Sequence, residues 1–121
     1  MDFRFEQLEI WQDSIKLSSE LFDIAEKAEQ LKKFRFAEQL NGAVLSISNN
    51  IAEGAGASSN REFSRFLSYS RSSIFEVANI LVVFELRKII DKETRVNLHH
   101  QLILLSRKIH FFRKKLTQIT N

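Results

Sequence analysis

Four residues, Val-Asn-Leu-His, separate Arg95 from His100 in a segment of helical periodicity. An arginine can steady the charge of a phosphorane while a histidine moves a proton, so this Arg-x4-His pair is where a ribonuclease would be sought. Two residues at a loose spacing equally describe the first turn of a helix with exposed polar side chains, and that plainer reading is preferred. The three histidines, His99, His100 and His110, do not share one helical face, and no Glu-x-x-His pair exists for a di-iron bundle. With no cysteine in the chain, thiolate metal sites and disulfides are excluded. Gly54-Ala-Gly56 is too short for a phosphate loop, lacks a following Gly-Lys-Ser/Thr and does not follow a strand. Serines are abundant, but none stands beside a recognisable base. The expectation is a non-enzymatic protein with no cofactor and no metal.

The basic residues carry a more extended signal. Arg107, Lys108, Arg113, Lys114 and Lys115 can form one strip, to which Arg61, Arg65 and Arg71 add from an earlier segment. Net charge is +3, unevenly placed. Residues 1 to 33 hold eight acids and five bases, whereas residues 94 to 121 hold six bases and no acid. Lysines and arginines on phosphates give salt-sensitive, largely sequence-independent affinity, so RNA, DNA or a nucleic-acid-associated protein is the expected partner. Repetition of the strip in an oligomer would raise avidity without new contacts. The alternative is an ordinary solvated face on a purely structural or protein-interaction oligomer. No exposed aromatic platform for base stacking is expected, because most phenylalanines fall on or near helical seams.

These residues must be positioned by helices. The chain has 121 residues, no proline and three glycines, with 44% apolar and 27% charged residues. That is one globular domain, 1–121, with few breaks for a β fold. Four helices are predicted near 6–29, 34–53, 59–88 and 92–119, and short connections make an all-α, antiparallel up-down-up-down four-helix bundle. In the fourth, Leu98, Leu102, Leu105, Ile109, Phe112, Leu116 and Ile119 form a heptad seam, with His100, Arg107 and Lys114 opposite. The first carries two seams. One is Leu8, Trp11, Ile15, Ser18, Phe22, Ala25; the other is Ile10, Ser14, Leu17, Leu21, Ile24, Ala28, Leu31. They point about 160° apart.

A single bundle core uses one such face, so the other implies a second copy. Ile10, Leu17, Leu21 and Ile24 are the expected oligomer contacts. Residues 74–86, apolar all round, support this. That run is shorter than the ~20 residues of a membrane span and contains Glu76, Asn79 and Glu85, so it is read as buried in protein, with no membrane partner. The opening Met-Asp-Phe-Arg-Phe-Glu lacks the basic-then-apolar order of a signal peptide. With no cysteine, a cytoplasmic protein is expected.

Helix ends are legible. Gly54 reads as a glycine just past the second helix. Ser59 with Glu62 makes a capping box for the third, and Asp91 an N-cap for the fourth. The turn at Gln30–Lys33 has no strong signal.

Reading from Gln39-Leu40 through Ser46-Ile47, Asn50-Ile-Ala-Glu-Gly54, Glu62-Phe-Ser-Arg-Phe-Leu67 and Ser73-Ile-Phe-Glu76, the chain resembles the four-helix-bundle family of 23S rRNA intervening-sequence proteins. That family is related in fold to the accessory variability protein of diversity-generating retroelements. Leu8-Glu-Ile-Trp11-Gln also resembles the opening of the family's first helix, so the likeness spans essentially the whole chain. It implies a homopentamer with a basic surface that contacts nucleic acid, and no catalytic activity. Two departures stand out: Asn41-Gly42 occupies a place where the family commonly has basic residues, and Ser72 one where it often has glycine. The Arg95-x4-His100 spacing is shared with helical ribonucleases of the nucleotidyltransferase-partner type. Within the motif, Asn50, Glu53, Gly54, Ser73 and Glu76 read as structural. Asn50 and Glu53 are expected to bond the Gly54–Gly56 connection and the start of the third helix, and Glu76 to reach a neighbouring helix.

Overall fold

The computed structural model describes residues 2–118. A 3-10 turn at Arg4–Gln7 precedes four helices: α1 (Glu9–Gln30), α2 (Phe34–Ala55), α3 (Asn60–Leu86) and α4 (Lys92–Gln118). The predicted start at residue 6 is corrected, because Leu8 is extended (φ −82°, ψ 127°) and separates the turn from α1. Ile119, the last seam position, lies outside the described residues. Each helix packs against its neighbours in sequence, α1 on α2, α2 on α3 and α3 on α4, while α4 closes on α1 less closely. Neighbours run antiparallel, as short turns between helices of similar length require. The fold is an all-α four-helix bundle. Among the described residues, no helix is long and apolar enough to cross a membrane.

The core follows the seams. Leu98, Leu102, Leu105, Ile109 and Leu116 of α4 are buried. In α1 the outcome reverses the interface expectation. Ile10, Leu17, Leu21 and Ile24 are at most 9% exposed and belong to this chain's own core. The reason lies in the neighbours of each seam. Small Ser14 and Ala28 within the buried seam, with Ser18 and Ala25 of the other seam beside it, admit close approach of the adjacent helices, whereas bulky Ile15 (41% exposed) and Phe22 stand outside it.

Two helix ends share one device. Lys32 (φ 63°) and Lys88 (φ 62°) are left-handed. After α1, the Lys33 amide donates to the Ala28 carbonyl and the Lys32 amide to that of Glu29. After α3, Ile89 donates to Phe84 and Lys88 to Glu85 in the same pattern. Both are Schellman closures with lysine where glycine is usual. The second tucks Ile89 and Ile90 into the end of the core, and α3 ends at Leu86 rather than at the expected residue 88.

The capping readings divide. The Ser59 hydroxyl accepts from the Glu62 amide at 3.1 Å, but the Glu62 carboxylate turns to Arg65, so half of the capping box forms. Asp91 caps α4 by accepting from the Thr94 amide at 2.8 Å. Gly54 is not past the helix: α2 runs on to Ala55, and Gly56 is its C-cap.

Candidate nucleic-acid interface

The α3–α4 seam is built on two heptad series. Ser64, Arg71 and Ala78 recur on one stripe of α3; His99, Ser106 and Arg113 recur on one stripe of α4. Antiparallel packing pairs them in reverse order. The Arg113 Nε donates to the Ser64 carbonyl (3.1 Å) and hydroxyl (3.2 Å), the Arg71 Nε donates to the Ser106 hydroxyl (3.3 Å), and His99 Nε2 donates to the Ala78 carbonyl (2.9 Å). One step further, the half-buried Arg95 and Glu85 pair at 2.6 Å. Each guanidinium of the first two rungs uses Nε for its serine, which fixes the long side chain and leaves the paired terminal nitrogens as further donors. Sequence reading missed Ser64 and Ser106 as anchors; the shared seven-residue spacing of small residues and arginines was the available signal.

The eight candidate basic residues are sorted by their partners. Lys108 bridges α4 to α1, at 3.0 Å from Glu9 and 2.7 Å from Asp13. Those hydrogen bonds, the Asp13 one foremost, hold its ammonium above the ordinary lysine range. Arg65 pairs with Glu62 at 2.7 Å and lies near the rings of Phe66 and Tyr69. Arg71 and Arg113 are held by serines. Arg61, Arg107, Lys114 and Lys115 are exposed. Arg61 and Arg65 open α3 while Arg113, Lys114 and Lys115 occupy the last turns of α4, and the Arg113–Ser64 bond shows that these two segments lie side by side. Five of the eight therefore share one end of the bundle. Tyr69, Phe75 and Phe111 are exposed, off the helical seams that hold most of the other aromatic side chains.

The Arg95–His100 pair is not brought together. Arg95 is engaged with Glu85 on α3, whereas His100 lines a shallow depression with Lys92, Glu93, Val96 and Asn97. Among the described residues, no group of acids and histidines could hold a metal ion.

The motif residues knit α2 to α3. Asn50 Nδ2 donates back to the Ser46 carbonyl (2.8 Å) and hydroxyl (3.0 Å), and Ser73 Oγ reaches the same Ser46 hydroxyl at 2.8 Å. The expected bonds from Asn50 to the following connection are thus replaced by bonds one turn earlier, since α2 continues through that region. The exposed side chains of Glu53 and Glu76 make no hydrogen bond or ion pair among the described residues, and Glu53 meets the connection only through its carbonyl, which accepts from the Gly56 amide at 3.1 Å, so the side-chain reach expected of both is corrected. Gly54 has a steric role: a Cβ there would lie 2.8 Å from Phe63 Cδ1 and 2.9 Å from Phe66 Cβ.

No curated protein matches the chain. A sequence model of the family described as 23S rRNA-intervening sequence protein matches residues 6–111, from the N-terminal turn into α4. That span holds the Asn50–Gly54 motif, its Ser46–Ser73 tie and nearly all of the four-helix core, and the chain belongs to the 23S rRNA-intervening sequence protein family.

Proposed function

We propose that this chain is a non-enzymatic, homo-oligomeric bundle that binds nucleic acid through its basic end. The observation that carries this reading is the one-sided charge of α4. From Thr94 to Gln118 it has six bases and no acid, and Arg107, Lys114 and Lys115 are exposed to solvent. Arg61 and Arg65 add charge from the adjoining start of α3, and exposed Tyr69 beside Arg65 offers a ring for a splayed base. Phosphates satisfy such a surface without sequence readout. Exposed Ile15, Phe22, Phe75, Val82 and Ile103 support association of copies, and the family resemblance implies five. Side-by-side copies would multiply the basic end without altering any single contact.

Anisotropy of labelled RNA and DNA against protein at stepped salt tests this. Affinity should fall steeply between about 50 and 200 mM salt, and Lys114→Glu with Lys115→Glu should weaken it. Absence of binding at the lowest salt would end the reading in favour of an oligomer that serves protein interaction alone.

A further inference from the structure

The end of the bundle opposite the candidate interface is basic as well, and it is built from two turns. One joins α1 to α2, the other α3 to α4. Segments 31–35 and 86–92 together hold six bases and one acid. That acid, Asp91, is engaged in capping α4. Among the described residues, none of the six basic side chains makes a hydrogen bond or ion pair; Lys33 only passes the Phe36 ring at 6.0 Å. At the other end, by contrast, Arg65 and Arg113 are held by Glu62 and Ser64. The two turns adjoin. Lys27 and Leu31 line one depression with Lys88, Ile89 and Lys92, and the Phe36 and Phe84 rings stack with centroids 6.0 Å apart.

The same two segments expose large apolar side chains. Leu86 is 76% exposed, more than any other large hydrophobic residue described, with Phe34 at 58% and Leu31 at 53%. The helix closures leave them there. Leu31 precedes left-handed Lys32, Leu86 stands two residues before left-handed Lys88, and Phe34 opens α2. Ile89 and Ile90 fill the end of the core, and Leu86 stays outside it.

A partner must answer both features. Nucleic acid would satisfy the cations but not the leucines, which have no π face to stack on a base. A protein would need a pocket for each of three side chains that stand on separate turns. A bilayer needs none, because its headgroup layer is fluid. Apolar side chains enter the boundary between headgroups and acyl chains, lipid phosphates take the cations, and the long lysine and arginine stems reach the phosphate level. Lying on a membrane requires no spanning helix.

We infer that this two-turn end docks on an anionic phospholipid surface. Leu31, Phe34 and Leu86 enter the headgroup layer, while Lys32, Arg35, Arg87 and Lys88 meet the phosphates. The inference does not depend on the nucleic-acid reading. The 22 residues of α2 separate the two ends by roughly 33 Å, several Debye lengths at about 0.15 M salt.

Vesicle flotation without nucleic acid tests it. The protein should float with phosphatidylcholine vesicles containing about a third phosphatidylglycerol and stay behind with phosphatidylcholine alone. Lys32→Gly with Lys88→Gly keeps both left-handed turns, and should cut partitioning about fivefold for each cation removed. Phe34→Ser with Leu86→Ser should also release the protein at unchanged charge. Helicity and the urea midpoint verify folding; Arg35→Gln with Arg87→Gln, and Leu31→Ser in place of Phe34→Ser, substitute for a variant that misfolds. Lys114→Glu with Lys115→Glu, at the far end, should leave flotation unchanged whatever it does to RNA binding. No flotation with anionic vesicles at low salt would overturn the proposal. Flotation that survives the serine pair would overturn it too, since charge alone would then explain it. If the glycine pair weakens RNA binding and vesicles capture nothing, this end is a second nucleic-acid contact instead.

Discussion

Gly54 of α2 lies directly against the ring of Phe63 in α3: a β-carbon at position 54 would approach Phe63 Cδ1 to 2.8 Å. The same β-carbon would meet Phe66 Cβ at 2.9 Å. Phe63 is fully buried, and a Cβ moves only with its helix, so neither neighbour yields cheaply. Gly42, in the same helix, has nothing within 4 Å of its would-be Cβ. The two glycines therefore give opposite outcomes. Overpacking of about 1–3 kcal/mol outweighs the roughly 0.5–1 kcal/mol that alanine gains over glycine in a helix, so Gly54→Ala should destabilise. Gly42→Ala has only the gain. Urea unfolding of both variants checks the contrast; a stabilised Gly54→Ala would show that α2 and α3 are not so close.

Lysine is an awkward residue at the left-handed positions 32 and 88. Relief of that strain is worth about 1–2 kcal/mol, and the extra unfolded-chain freedom of glycine returns part of it. Lys32→Gly and Lys88→Gly should each raise stability by roughly 0.5–1 kcal/mol. Thermal denaturation that shows a loss for both would mean the Schellman closures do not form in solution.

Periodicity made the four helices legible because their seams repeat over several turns, as Leu98 to Leu116 shows. Ser59 and Asp91 were legible because an N-cap is a local bond between a side chain and an amide three residues on. What failed was non-local. Gly54 looked like a terminus, but its glycine answers to Phe63 and Phe66 in another helix. The two α1 seams were both visible, yet which one turns inward depends on Ser14, Ala25 and Ala28 admitting neighbours. For the basic strip, residue types identified the cations but not their partners. Lys108 meets Glu9 and Asp13 from the far end of the chain, a pairing set by bundle closure alone.

Acid should loosen the start of α4. The Thr94 side chain and amide, both bonding the Asp91 carboxyl, hold it below the ordinary carboxylate range. A depressed folded-state pKa stabilises above the unfolded value of about 3.9 and loses that contribution as pH falls through the folded value. Asp91→Ala should therefore lower the melting temperature at neutral pH. The gap between wild type and variant should narrow as pH drops below about 4 and close once both states are protonated. A gap that stays constant to the acid limit would mean the carboxylate charge has no part in the cap.

The cations of α4 should contribute unequally to nucleic-acid binding, and the inequality follows from their partners. Lys108 already has two carboxylates within 3.0 Å, so bringing it to a phosphate would break two ion pairs to form one contact. Lys114 and Lys115 are exposed on the last turns and carry no such penalty. Each lysine that releases a counterion on binding adds about 0.7–0.9 to the slope of log affinity against log salt. Lys114→Ala with Lys115→Ala should thus flatten that slope by roughly 1.5, whereas Lys108→Ala should leave it unchanged. Anisotropy titrations on one RNA at several salt concentrations decide the matter. Equal flattening by Lys108→Ala would show that the α1–α4 ion pairs open when nucleic acid arrives, and would move the contact surface from the end of the bundle to its α1–α4 side.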